Sequence, residues 1–181
     1  EEKAKEIQLE SAIFSLVEVV TEPNSSPWAR FDSFESLWER AIPQRRIVLQ
    51  FLSPTAFRSK GRNMLFPQPE LVFGSYLSKW NAYSPISFDD SIRSQVFPHL
   101  TTIRYKLQSH ILDFNTHKEV GFEGMCAYEI KHNISEETLR QINALADFAF
   151  YAGTGAKTTM GMGQTRRISA SNIRIREQEG L

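Results

Sequence analysis

The stretch that most limits how this chain can fold runs from Ser135 to Arg166, where a strongly patterned helix is followed at once by GTGAKTTMGMGQTR, starting at Gly153. Leu139, Ile142, Leu145, Ala146 and Ala149 recur at helical spacing, Ser135 is a good N-cap, and Glu136 and Glu137 complement the dipole of the first turn. The pattern predicts a helix over 135–151. Its apolar stripe must be buried against another layer, and the four glycines behind it must end it. Glycine also bares backbone N–H groups, so such a loop can follow an anion closely, with Lys157 and Arg166 supplying charge. The nucleotide-cofactor motifs do not fit it. A Walker loop around Lys157 needs glycines where Tyr151 and Ala156 stand. A Rossmann fingerprint counted from Gly153 or Gly161 places its last glycine on Thr158 or Arg166, and here a helix, not a strand, precedes the loop.

The remaining elements follow from periodicity. Ile7, Leu9, Ile13, Val17 and Val19, with Phe14, Leu16 and Val20 between them, predict one long, mostly buried strand. Asp32 to Glu35 resembles a helix start, with Phe34, Leu37, Trp38 and Ala41 as its stripe until Pro43. Arg46 to Leu52 is the next strand, and Ser53 to Asn63 reads as a basic loop. Pro69 opens a helix carrying Leu71, Phe73, Tyr76, Leu77 and Trp80, closed by Pro85, and a short helix is expected from Asp89 to Phe97. Ile103 to Ile111 alternates as a half-exposed strand, with Val120 to Ile130 its hairpin partner, and a last strand falls near Met162 to Ile168. The expected class is α+β: a ferredoxin-like, RNA-recognition-motif-like antiparallel sheet with its helices on one face. The segment between Ser53 and Thr101 reads as a helical insertion between its second and third strands. A single domain is expected over 1–176, with a disordered tail at 177–181.

Net charge is zero, with 21 basic and 21 acidic residues, so only the distribution of charge is informative. Arg40 to Pro69 and Ala149 to Arg176 hold no acid, and the two segments would form a positive surface if they met. The single cysteine, Cys126, excludes an internal disulfide and reads as a core residue. No run is apolar enough to span a bilayer as a helix, and a soluble cytoplasmic protein is expected. Because the sequence begins at Glu1, it also reads as part of a longer chain.

Four pieces, in order, resemble the Cas6 family of CRISPR repeat RNA endoribonucleases, in its carboxy-terminal half. They are FLSPTAFR from Phe51, PQPELVFGSYLSKWNAYSP from Pro67, the Gly121, Phe122 and Gly124 of VGFEGMCAY, and LADFAFYAGTGAKTTMGMGQTR from Leu145. The resemblance implies a pair of ferredoxin-like domains that bind the CRISPR repeat and cut it once without a metal. A ribose hydroxyl attacks the adjacent phosphate, leaving a cyclic phosphate. The family's usual catalytic histidine lies in the amino-terminal half, so no catalytic residue is assigned here. The loop is the family's RNA contact, giving Gly153, Gly155, Lys157, Thr158, Gly161, Gly163 and Arg166 as RNA-binding candidates, with Arg58, Lys60 and Arg62 added from the basic loop. No cofactor or metal is expected. The implied partners are CRISPR repeat RNA, other CRISPR-associated subunits and a second copy of the chain. The alternative is a non-catalytic subunit that holds RNA or protein.

The other candidates have plainer readings. His99, His110, His117 and His132 read as surface residues, although His110 shares a polar strand face with Arg104 and Lys106. Phe73 and Trp80 read as core, and Met160 and Met162 as packing for the loop.

Overall fold

The computed structural model describes residues 6–9, 12–22, 25–26, 28–59, 61–114 and 116–169. Contacts cluster in two units, Glu1–Ser33 and Phe34–Leu181. In the first, β1 (Glu6–Leu9) pairs antiparallel with β2 (Ala12–Ser15). The long buried strand expected over Ile7 to Val20 is therefore corrected to a short hairpin. Apolar residues on both faces suggest burial, yet the segment pairs with itself, and Ile13 and Phe14 stay 66% and 53% exposed.

The second unit is a mixed α/β body built on an antiparallel sheet. Its elements are α1 (Phe34–Glu39), β3 (Arg46–Thr55), β4 (Phe57–Ser59), β5 (Arg62–Met64), α2 (Pro69–Tyr83), α3 (Ile92–Gln95), β6 (Leu100–Asp113), β7 (Lys118–Ile130), α4 (Glu136–Ala152) and β8 (Thr165–Ile168). Four strands form one sheet in the order β6-β7-β3-β8, every neighbour antiparallel. The basic loop expected at Ser53 to Asn63 is instead the end of β3 and the β4–β5 hairpin. Ser59 pairs with Arg62, and Gly61 at φ 73 provides the tight turn. The segment expected as an insertion carries α2 and links β3 to β6, the first and second strands of this sheet in sequence order.

Side chains alternate across each strand, so β3 sends Ile47, Leu49 and Phe51 into the core, where Cys126, Tyr128 and Ile130 of β7 join them. Helix α2 is buried almost all round at Val72, Phe73, Tyr76, Leu77 and Trp80, because it packs on both the sheet and the segment after it. Phe73 meets the Tyr128 ring edge-on at 5.4 Å, and Trp80 stacks on Phe88 at 4.8 Å. Both Phe73 and Trp80 are fully buried, as their helical spacing predicts; truncating either to Ala would cost about 3–5 kcal/mol. Helix α4 starts where Ser135 Oγ accepts the Thr138 N–H at 3.1 Å and ends at Gly153, whose φ of 63 no β-branched residue tolerates well. Arg140 of α4 donates to the Ala41 and Trp38 carbonyls and lies 4.5 Å over the Trp38 ring, tying α1 to α4. Among the described residues no helix is long and apolar enough to cross a membrane.

Candidate nucleic-acid interface

The sheet face away from α2 and α4 is built by the alternate residues. Val48, Gln50 and Leu52 of β3, Glu123, Met125 and Ala127 of β7, and Arg104, Lys106, Gln108 and His110 of β6 line a groove of about 910 Å³. Register explains the set: Lys106 is opposite Met125, which is opposite Gln50, which is opposite Arg166 of β8. Arg166 Nε donates to Gln50 Oε1 at 3.0 Å, and His110 Nε2 lies 3.6 Å from Glu123. The polar face that joins His110 to Arg104 and Lys106 in the sequence is therefore a groove wall.

The glycine loop packs against the junction of β3 and β4. Ala156 N–H donates to the Ala56 carbonyl at 2.8 Å, Gly163 N–H to the Pro54 carbonyl at 3.0 Å, and Gln164 N–H to Ser53 Oγ at 2.9 Å. The two acid-free segments thus meet through their backbones, as a joint positive surface requires. Three of the four glycines are tightly packed, Gly155 against that junction and Gly153 and Gly163 within the loop. A Cβ on Gly155 would lie 2.3 Å from the Ala56 carbonyl oxygen and one on Gly163 2.1 Å from the Thr154 carbonyl oxygen, while Gly153 faces the Thr158 side chain at 3.0 Å. Gly161, at φ 84, is exposed, and a Cβ there would have nothing within 4 Å.

A buried hydroxyl chain holds the loop from below. Tyr76 OH and Thr154 Oγ1 are 2.5 Å apart, Thr154 Oγ1 donates to Thr165 Oγ1 at 2.7 Å, and Thr165 is bonded to the Gly163 carbonyl at 2.9 Å. Burial pushes the Tyr76 phenol well above its ordinary value, so it remains a protonated donor to Thr154. Lys79 Nζ donates to the Ala152 and Gly153 carbonyls at 2.8 and 3.1 Å, placing a cation at the C-terminus of α4, and burial lowers its pKa.

The predicted cations differ in their surroundings. Lys157 is paired: its Nζ donates to Glu119 Oε1, lies 3.1 Å from His117 Nε2 and sits 5.8 Å from the Phe114 ring centroid. That hydrogen bond holds the Glu119 carboxyl below the usual range. Arg58 and Arg62 are exposed on the β4–β5 hairpin, Thr158 opens a 3-10 turn, and Lys60 lies outside the described residues. Arg167 belongs to the fold, because it pairs with Asp147 at 3.2 Å and with the buried Asn143 side chain. Met162 is buried as expected, but Met160 is 48% exposed and packs nothing down. Sequence reasoning missed Glu119, and with it the grouping of His117 and Phe114 around Lys157, since about forty residues separate them and no local pattern links them. His99 and His132 contact each other edge-on at 4.1 Å, and neither lines the groove. Among the described residues no three His, Cys, Asp or Glu side chains could hold a metal ion together.

These features define a class: an α+β protein whose antiparallel sheet has helices on one face and a polar groove on the other, with a glycine loop packed at the end of its central strand. Residues 49–165 match the family described as CRISPR-associated endoribonuclease Cas6, and the chain belongs to that family. It is 26% identical over 116 residues to a CRISPR-associated endoribonuclease Cas6 of Streptococcus thermophilus, a match covering 62% of this chain and 46% of that protein. It is similar to a Cas6 solved as a product complex, with a TM-score of 0.81 and 30% identity over 92% of this chain and 67% of the other. A Thermus thermophilus Cas6 superposes with a TM-score of 0.72 and 31% identity, covering 78% and 60% of the two chains. The chain therefore spans less than half the length of the Streptococcus relative.

Proposed function

We propose that this chain binds CRISPR repeat RNA and serves in its processing by a metal-independent endoribonuclease that leaves a cyclic phosphate. The observation that carries this reading is the groove on the helix-free sheet face, where Arg104, Lys106 and His110 of β6 line one wall and Arg166 of β8 lies across the sheet from Lys106, through Met125 and Gln50. Basic side chains on both sides of a groove floored by Gln50 and Met125 suit the phosphate backbone of a single strand. The strand order β6-β7-β3-β8, with α2 and α4 as the crossovers, supports a ferredoxin-like body from Arg46 to Ile168. Lys157, Arg58, Arg62 and the exposed backbone at Gly161 extend the RNA path onto the loop. The histidines favour binding over cleavage by these residues: of the four only His110 lines the groove, and it faces Glu123, while His117 faces Lys157 on the loop. The protein acts in the cytoplasm, with other CRISPR-associated subunits or a second copy as partners.

The test is incubation of the chain with labelled repeat RNA and with a scrambled RNA, in chelator. Preferential binding of the repeat supports the reading. Equal binding of both RNAs removes repeat recognition, and cleavage that stops in chelator removes the metal-independent chemistry.

A further inference from the structure

Lys157 meets an anion before any RNA arrives. Among the described residues it is the one non-glycine with positive φ, at φ 58 and ψ 32, a conformation that persists only where the surroundings over-determine it. That backbone turns its ammonium onto Glu119, whose side chain is 12% exposed. The Arg58 guanidinium acts on the same carboxylate, and His117 Nε2 lies 3.5 Å from it. One oxygen anion among cationic donors is what a phosphate also needs. Beside it the Phe114 and His117 rings stack at 5.3 Å and 17°, giving a flat surface next to the anion position.

We propose that the Glu119 carboxylate occupies an RNA phosphate position in the free protein, and that a single-stranded RNA phosphate displaces it, setting the neighbouring base against Phe114 and His117. This deepens the RNA-binding reading above and rests on it. Glu119 then acts as a built-in competitor, and removing its charge strengthens binding. A merely structural ion pair predicts the opposite, because its loss can only loosen the loop.

The experiment is fluorescence anisotropy of the full chain with labelled repeat RNA and with a short oligouridylate across a salt series. Glu119→Gln is expected to bind both about threefold more tightly, with a salt slope steeper by about 0.7, the increment of one phosphate contact on a single strand. Adding Lys157→Ala should abolish that gain, and Phe114→Ala should weaken oligouridylate binding without changing the slope. Unchanged or weaker binding by Glu119→Gln overturns the proposal. If that variant does not fold, Glu119→Asp decides in its place: the shorter carboxylate withdraws from Lys157, so tighter binding is expected, and unchanged affinity overturns the idea. A wild-type chain that does not prefer the repeat removes only the repeat-RNA reading, since Glu119 is still judged on the oligouridylate. No binding of either RNA by any variant removes both.

Discussion

Gly155 and Gly161 occupy the same loop at similar positive φ, 77 and 84, but a methyl group added at each meets different surroundings. Left-handed backbone costs a non-glycine residue about 1–2 kcal/mol, and at Gly161, where a Cβ has nothing within 4 Å, that is the whole effect of Gly161→Ala. At Gly155 the new Cβ would stand 2.3 Å from the Ala56 carbonyl oxygen, far inside contact distance and against backbone that cannot swing away. That carbonyl accepts the Ala156 N–H at 2.8 Å, and the neighbouring Gly163 N–H to Pro54 bond, 3.0 Å, closes the same joint. Breaking both would leave buried polar groups unsatisfied at about 1–3 kcal/mol each. Gly155→Ala is therefore expected to cost roughly 3–8 kcal/mol in total, a large share of the 5–15 kcal/mol typical of a domain. Urea unfolding followed by tryptophan fluorescence checks this, with thermal melts as a second measure at about 2–4 °C per kcal/mol. Equal destabilisation by the two variants would refute the packing argument. It also bears on function: a binding defect in Gly155→Ala follows from a displaced loop, whereas one in Gly161→Ala reports crowding or backbone strain at the exposed loop tip itself.

Tyr76→Phe removes one end of the buried hydroxyl chain and should cost about 1 kcal/mol, read as a lower urea midpoint at unchanged slope; no shift would mean the Thr154 hydroxyl is satisfied without it. Cys126 is buried and its thiol is pushed up to about 11 by desolvation, so a thiol reagent near neutral pH should label it only as the protein unfolds; fast labelling of native protein would contradict this. The Lys157 hydrogen bond depresses the Glu119 pKa, so the pair's contribution is present above the ordinary carboxylate value and is lost as pH falls through the lower, folded value. A carboxyl-carbon NMR titration should show Glu119 titrating below the ordinary range, and within it once Lys157→Ala is made; an ordinary value in the native protein would rule the pair out.

Helix α4, its Ser135 cap and its Gly153 end are legible in the sequence because capping and helical periodicity are local. So are α2, opened by Pro69, and the β6–β7 hairpin. The apolar run from Ile7 to Val20 misleads because two-faced hydrophobicity signals burial without saying which strand supplies the partner. The β4–β5 hairpin is hidden by its polar residues, which resemble loop composition although Gly61 permits a tight turn. The charge pattern singles out two segments, and these do meet through their backbones. It cannot reveal that Glu119 arrives from a third element, because that depends on the register of β7 and on the backbone of Lys157.

That distinction bears on how a chain of zero net charge could bind the RNA proposed above. The total carries no attraction, so any steering must come from cations that keep their charge available and stay in place. Arg167, bound to Asp147 and Asn143, is spent on the fold, and Lys79 on the carbonyls that end α4. These half-buried cations, with the buried Tyr76, Thr154 and Thr165 hydroxyls, fix the loop and the strand after it from within the fold. Arg104, Lys106 and Arg166 stand on paired strands, whose register sets their spacing in the free protein. A prearranged row avoids the ordering cost that a mobile basic tail would bear on binding. On the proposed RNA-binding reading, affinity would then depend on how well a phosphate spacing matches the sheet, so even a neutral protein would be selective.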